Sequence, residues 1–125
     1  MKWSIFYLDD EEVLLRLFEE MFGHLYDIRV SSSLTEARRM LEDCSADIII
    51  SDQKMPGIEG TDFLREAAQA CPRSYRMLLT GQTSMMHVVT ELTTGVVQNF
   101  MVKPWTEEEM VEALKRAVAT IERNQ

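Results

Sequence analysis

The chain has 125 residues and a net charge of −8, and 46% of its residues are apolar against 27% charged. This length suits one domain with its own core, and the composition argues against a disordered chain. The acidic charge disfavours a broad nucleic-acid-binding surface, because phosphates would be repelled, yet it suits a local carboxylate site for a cation. We therefore expect a single domain over residues 1–125 that makes no direct contact with nucleic acid.

The cysteines and the N-terminus bear on the compartment. Cys44 and Cys71 are isolated, without a CxxC pair or a histidine cluster. We therefore expect neither a disulfide nor a zinc site, and a reducing setting. The first residues lack the apolar stretch of a signal peptide, and no run approaches membrane-spanning length. The predicted location is the cytoplasm, without membrane contact.

Apolar patterns in the first half of the chain predict two strand–helix units. A buried run at residues 5–8 predicts the first strand. The following helix carries apolar residues at i, i+3, i+4 and i+7, namely Leu14, Leu17, Phe18 and Met21. Alternation over residues 26–30 predicts an edge strand. Ser33 with Glu36 predicts a capping box, which opens a helix with an inward face of Leu34, Ala37, Met40 and Leu41.

The second half continues the alternation with three more units. Residues 48–50 form a β-branched buried strand, followed by a loop with Pro56, Gly57 and Gly60 and a helix lined by Phe63, Leu64, Ala67 and Ala68. A strand at residues 77–79 precedes a fourth helix, which ends at Gly95 and is lined by Met85, Val88, Val89 and Leu92. The last strand spans residues 99–102. A second capping box, Thr106 with Glu109, opens a final helix lined by Met110, Leu114, Ala117 and Ile121.

Polar residues stand where the predicted strands end. Five successive strand–helix units predict a parallel α/β sheet with helices on both faces, and ligands bind at the carboxyl ends of such strands. Asp9 and Asp10, Asp52, Thr80 and Lys103 end the first, third, fourth and fifth strands. We expect these side chains to meet at one edge of the sheet.

Converging carboxylates repel each other unless a cation compensates them, and oxygen ligands with room for water favour Mg2+. Lys103 would balance part of the charge, and Asp52 beside a cation is a plausible nucleophile toward phosphorus. Thr80 is placed to donate to a phosphoryl oxygen. Each residue alone also has an ordinary explanation: a cap or turn for the aspartates and the threonine, a surface charge for the lysine. Together, however, the ordinary explanations require four coincidences at one edge.

The motifs resemble a known family. Leu-Asp-Asp, then Ile-Ile-Ile-Ser-Asp followed by Met55-Pro56-Gly57, then Leu-Leu-Thr-Gly and Lys103-Pro104 occur in the order typical of the receiver domain of two-component response regulators. The resemblance covers essentially the whole chain. It implies a flavodoxin-like α/β fold, a (βα)5 doubly wound sandwich whose five-stranded parallel sheet has the order 2-1-3-4-5.

The resemblance also implies roles. Asp52 is similar to the family's phosphoacceptor, and Lys103 to the lysine that pairs with the phosphoryl group. Asp9 and Asp10 resemble the acidic pair that holds Mg2+, with Asp52 and the backbone carbonyl of Lys54 as further ligands. The family implies that the domain catalyses only its own phosphorylation and dephosphorylation.

Further positions resemble the family's switch. Thr80 is similar to the switch hydroxyl and Phe100 to the switch aromatic, although Phe100 is also explained as an ordinary strand residue. The peptide before Pro104 is expected to be cis. Lys54 and Gln82 occupy the variable positions beside the phosphate, where they could tune the lifetime of the aspartyl phosphate, although Lys54 is equally well explained as a side chain that points into solvent.

The resemblance implies partners as well. A sensor histidine kinase or a histidine phosphotransfer protein would supply the phosphoryl group. The face formed by the fourth helix, the last strand and the last helix would then change shape and control an output domain or downstream protein. Met85 and Met86 begin that fourth helix, and a homodimer is a further candidate.

Three alternatives compete with this interpretation. A phosphorylation-independent receiver-like interaction module would typically lack the acidic pair, the acceptor aspartate or the lysine. A phosphatase with an aspartate nucleophile would carry it in an Asp-x-Asp motif on the first strand. A nucleotide- or flavin-binding protein would need a glycine-rich loop after that strand, where residues 9–12 are all acidic here.

Overall fold

The computed structural model describes residues 2–81, 92 and 94–124. In chain order the elements are β1 (Ser4–Leu8), α1 (Glu12–Phe22), β2 (Asp27–Ser31), α2 (Leu34–Asp43), β3 (Ile48–Asp52), β4 (Lys54–Met55), β5 (Ile58–Glu59), α3 (Gly60–Ala70), β6 (Tyr75–Thr80), β7 (Asn99–Val102) and the C-terminal helix (Glu107–Arg123). Leu92 and Thr94 are also helical. Most of the predicted fourth helix, with Gln82, Met85, Met86, Val88 and Val89, lies outside the described residues.

Five strands form one parallel sheet in the order β2-β1-β3-β6-β7. The short strands β4 and β5 pair with each other in a separate antiparallel hairpin, which the sequence did not predict. Because that hairpin is not part of the main sheet, the strand order is the predicted 2-1-3-4-5. The doubly wound α/β fold is confirmed.

The register of the sheet brings the carboxyl ends of its central strands level. Leu8 pairs with Ser51, Asp52 with Leu79, and Thr80 with Val102. The residues that follow these pairs in the chain therefore emerge at one edge, as parallel strands require.

The core has two layers, one on each face of the sheet. Side chains alternate between the faces along each strand, so Ile5 and Tyr7 pack on one side while Phe6 and Leu8 pack on the other. The first layer is completed by α1 and the C-terminal helix, and the second by α2 and α3. The central strands β1, β3 and β6 are covered on both faces, in agreement with their continuous apolar sequences.

The buried stripe of α1 differs from the predicted one. Leu15, Phe18 and Phe22 are buried, whereas Leu17 is 43% exposed. Leu14, Leu15, Leu17 and Phe18 are all apolar, so two stripes one residue apart are compatible with the sequence. Phe18 belongs to both stripes and packs edge-on against Tyr7, with ring centroids 5.0 Å apart. Contact with the sheet selects the stripe in which Leu15 and Phe22 join Phe18 in the core.

One predicted capping box is confirmed and the other is half formed. Thr106 and Glu109 make both reciprocal hydrogen bonds at the start of the C-terminal helix. At α2, the Ser33 hydroxyl accepts from the Glu36 backbone N–H. The Glu36 carboxylate does not complete the box, because it accepts a hydrogen bond from the Ser31 hydroxyl instead.

The prediction that no disulfide forms was wrong. Cys44 and Cys71 are bonded to each other, with Cα atoms 5.5 Å apart. Cys44 follows the last residue of α2 and Cys71 follows the last residue of α3. Since these helices pack on the same face of the sheet, their ends bring together cysteines that are 27 residues apart in the chain.

Reduction of this bond is expected to destabilise the fold. A cross-link over 27 residues restricts the unfolded chain, and its loss costs about 3.5 kcal/mol in the loop-entropy description. Urea unfolding with and without dithiothreitol measures the difference. Cys44→Ser, at an exposed position, is the control, because its unfolding should not respond to dithiothreitol. An identical unfolding midpoint for the native chain in both conditions would contradict a stabilising bond.

None of the helices in the described part of the chain has the length and apolar character that a bilayer span requires.

Candidate functional site

Carboxylates from two strand ends meet at the carboxyl edge of the sheet. Asp9 and Asp10 follow β1, and Asp52 ends β3. Each of the three offers an oxygen atom, and these oxygens all lie within 4.8 Å of one another. Asp9 is fully buried and Asp52 nearly so, whereas Asp10 is exposed. Two carboxylates of the group are therefore shielded from water, and the third is exposed to it.

Lys103 supplies the positive charge at this edge. Its Nζ lies 3.0 Å from Asp52 Oδ1, 3.2 Å from Asp9 Oδ2 and 3.8 Å from Glu11 Oε1. The side chain is 20% exposed, so the ammonium is held between carboxylates and not in bulk water. It is positioned by β7, whose last residue precedes it, and by its backbone N–H, which donates to the Thr80 carbonyl.

The surroundings of Asp52 disfavour its charge. Burial is the largest cause and raises the pKa of Asp52 to about 6, and the charges of Asp9 and Asp10 add to the rise. The hydrogen bond and charge of Lys103 act in the opposite direction. Burial alone would lower the pKa of Lys103, but its contacts with Asp52 and Asp9 raise it above the usual value. The lysine is therefore charged at neutral pH.

The carboxylate of Asp9 is held from three sides. Its Oδ2 accepts a hydrogen bond from the Tyr7 hydroxyl at 2.6 Å as well as from Lys103, and its Oδ1 accepts from the Glu11 backbone N–H at 3.0 Å. Burial, together with the hydrogen bond to Asp9, raises the pKa of Tyr7 far above its usual range, so this hydroxyl keeps its proton. The Asp9 carboxylate consequently has a fixed orientation.

Hydrogen bonds hold the loop after Asp52 close to the end of β3. The buried Gln53 side chain accepts from the Thr61 backbone N–H at 2.9 Å, and the Gly60 N–H donates to the Gln53 carbonyl at 2.8 Å. A Cβ on Gly60 would lie 2.2 Å from the Asp52 carbonyl oxygen, so only glycine allows α3 to begin this close to β3. This packing fixes the backbone that carries Asp52 and the exposed Lys54.

The other predicted site residues in the described part of the chain lie near this edge but take no part in the ion pairs of Lys103. Thr80 is buried at the end of β6, and its hydroxyl donates to the Gly81 carbonyl at 3.1 Å. Phe100 is half-buried in β7 and packs against the core layer of α2 and α3. The Lys103–Pro104 peptide is cis, as expected.

The donor set agrees with the chemistry of a hard divalent cation. Mg2+ prefers oxygen ligands, usually one or two carboxylates together with water. Asp9, Asp10 and Asp52 provide carboxylate oxygens within 4.8 Å of one another, and exposed Asp10 leaves space for water on one side. The residues therefore fit Mg2+.

Comparison with known proteins identifies the family. The family model of the response regulator receiver domain matches residues 5–115. The chain belongs to this family. A solved response regulator receiver domain from Clostridium thermocellum shares 27% identity with a TM-score of 0.91, covering 98% of this chain and 99% of that one. The receiver fold and its parallel five-stranded sheet are thus common to both.

Two transcriptional regulatory proteins contain sequences similar to this chain. The hydrogenase transcriptional regulatory protein HoxA of Cupriavidus necator is 28% identical over 119 residues, covering 92% of this chain and 24% of that protein. The C4-dicarboxylate transport transcriptional regulatory protein DctD of Rhizobium meliloti is 31% identical over 116 residues, covering 91% and 25%. The chain thus spans about a quarter of the length of these relatives.

Two contacts at the receiver site were not expected from the sequence. Glu11 reaches Lys103, and Tyr7 hydrogen-bonds Asp9. The second had a detectable signal: residues two apart in a strand point to the same face, so Tyr7 stands directly before the buried aspartate on that face. The first depends on the path of the chain between β1 and α1, which periodicity does not specify.

Proposed function

We propose that this receiver domain, formed by residues 1–125, accepts a phosphoryl group on Asp52 and works as a phosphorylation switch in a two-component phosphorelay. The observation that carries the proposal is the placement of Lys103 Nζ 3.0 Å from Asp52 Oδ1, within a group of three carboxylates. A nucleophilic carboxylate, a cation site and an adjacent positive charge are what transfer to an aspartate requires.

The donor would be a phosphohistidine of a sensor histidine kinase or a histidine phosphotransfer protein. An oxygen of Asp52 attacks the phosphorus, the phosphorus–nitrogen bond breaks, and the released imidazole takes up a proton. The product is an acyl phosphate on Asp52, which water later hydrolyses. The domain thereby catalyses only its own phosphorylation and dephosphorylation, as a switch and not as an enzyme that turns over a separate substrate.

Each residue of the site has a separate task in this proposal. Asp9, Asp10, Asp52 and the backbone carbonyl of Lys54 would hold Mg2+. The ion, when bound, neutralises charge on the transferring oxygens. Lys103 leaves its contact with Asp52 and donates to the new phosphoryl oxygens, where its charge stabilises them.

The response to phosphorylation would pass through Thr80 and Phe100. The added charge and acceptor oxygens favour a rotation of the Thr80 hydroxyl from the Gly81 carbonyl toward the phosphoryl group. That movement frees space for Phe100, and the population shifts toward a second shape of the face made by β7, the C-terminal helix and the predicted fourth helix. This face would bind an output domain, a downstream protein or a second copy of the chain, while nucleic acid and membrane make no direct contact.

The proposal places the domain in the cytoplasm. Disulfides are rare in that compartment, because thiols are kept reduced there, so the Cys44–Cys71 bond of the structure is an uncommon feature for a cytoplasmic domain.

The phosphorylation test uses acetyl phosphate as donor and intact-protein mass as readout. With Mg2+ the chain should gain one phosphoryl adduct, and with EDTA the adduct should be absent, because the carboxylates repel the donor when the cation is removed. If the chain formed no adduct and bound no Mg2+, the function of the domain would be that of a phosphorylation-independent interaction module.

A further inference from the structure

The Tyr7 hydroxyl has a contact that the phosphorylation switch does not use. Tyr7 is fully buried in β1, and its hydroxyl donates to Asp9 Oδ2 at 2.6 Å. Asp9 is itself fully buried. A short bond between two buried polar groups holds both in one orientation, because burial shields both partners from bulk water that would compete for them.

The position of this bond relates it to the cation. Asp9 Oδ2 accepts from both Tyr7 and Lys103, and the Glu11 N–H occupies Oδ1. When Lys103 moves to a phosphoryl oxygen, Asp9 loses one of the two donors on Oδ2, and Tyr7 is the donor that stays. In the proposed function, the tyrosine would therefore keep the Asp9 carboxylate in its position throughout the reaction.

We propose that Tyr7 is a positioning residue for the Mg2+ site, which orients the Asp9 carboxylate through its hydroxyl. The inference rests on the proposed function, because it assigns Asp9 to the cation. Residues that orient metal ligands in this way typically alter metal affinity about 10- to 100-fold when removed. They do so without touching the metal or the transferred group.

The variant Tyr7→Phe removes one oxygen atom and keeps the ring that packs on Phe18. Mg2+ affinity, measured by isothermal titration calorimetry, should weaken about tenfold. The Mg2+ concentration that gives half of the maximal rate of phosphorylation by acetyl phosphate should rise by the same factor of about ten. At saturating Mg2+ the rate should recover to within about twofold of the parent rate, since the chemistry on Asp52 is untouched.

Two controls separate positioning from a general effect on the fold. Tyr75→Phe alters another buried tyrosine, at the opposite end of the sheet, and should leave Mg2+ affinity unchanged. In an Asp9→Ala background, Tyr7→Phe should have no further effect on Mg2+ affinity, because the hydroxyl acts through the carboxylate that is now absent. An effect that persists in that background would overturn the proposal, as would a Tyr7→Phe affinity within twofold of the parent.

The unmodified chain provides a measurement that does not depend on the folding of Tyr7→Phe. The chain has three tyrosines, so labelling with ring-13C tyrosine gives three Cζ signals. The signals lost in Tyr26→Phe and in Tyr75→Phe are identified by those variants, and the remaining signal belongs to Tyr7. Saturating Mg2+ should shift the Tyr7 signal, and no shift would overturn the positioning role. Failure of the proposed function gives a different result, since the parent itself would then neither bind Mg2+ nor form an adduct.

Discussion

Asp52→Asn is expected to leave no phosphoryl adduct after incubation with acetyl phosphate and Mg2+. An amide lacks the negative charge with which the carboxylate attacks phosphorus. The other carboxylates of the site remain, so the loss measures the acceptor and not the cation site alone. Intact-protein mass detects the adduct, and Asp43→Asn, at an exposed position near the end of α2, should be phosphorylated like the parent. An adduct of unchanged yield in Asp52→Asn would exclude Asp52 as the acceptor.

The same variant is expected to be more stable than the parent when EDTA is present. The pKa of Asp52 rises from 3.8 to about 6 in the fold, so the folded state binds a proton more tightly than the unfolded state. The contribution of this group to the free energy of unfolding therefore falls as the pH rises from about 4 to about 6, and stays low above that. At pH 7.5 the ionised carboxylate costs about 3 kcal/mol, and asparagine removes most of it. Urea unfolding at pH 5 and pH 7.5 should show a smaller pH dependence in the variant, while an equal dependence would contradict the argument.

The location of the site could be predicted from the sequence because it follows from chain direction alone. Parallel strands place their carboxyl ends at one edge, so the residues after 8, 51 and 102 had to lie at that edge. The sequence does not show that Lys103 lies between Asp9 and Asp52. The distances in the structure do. That arrangement depends on the distances between strands and on the local path of each chain segment.

Other features depend on contacts that no local pattern encodes. The stripe of α1 is displaced by one residue because adjacent apolar residues allow two helical faces, and burial of Leu15 and Phe22 against the sheet selects between them. The Cys44–Cys71 bond requires the ends of α2 and α3 to be neighbours. Arg76 is buried although charged, because its guanidinium donates to the carbonyls of Ser74, Gly95 and Val96. Such partners become visible only once distant segments are assembled.

Lys103→Met is expected to lower both stability and phosphorylation. The ammonium is the cation between Asp9 and Asp52, and removal of one partner from a mostly buried ion pair leaves the other charges uncompensated. The free energy of unfolding in EDTA should fall by about 3 kcal/mol. Urea unfolding measures the loss, and Lys115→Met, at an exposed position on the C-terminal helix, should have little effect. A parent-like stability for Lys103→Met would show that the carboxylates do not need this counter-charge.

Addition of Mg2+ distinguishes the contribution of Lys103 to stability from its contribution to the phosphorylation rate. The ion bound by the same carboxylates compensates their charge, so saturating Mg2+ should restore most of the stability lost in Lys103→Met. It should not restore the rate, because the ion cannot make the lysine's own contact with the transferred phosphoryl oxygens. The acetyl phosphate reaction at saturating Mg2+ should therefore stay at least about tenfold slower than in the parent, a difference of about 1.4 kcal/mol in the barrier. A rate that recovers together with the stability would mean that Lys103 serves the fold of the apo site and not the transfer.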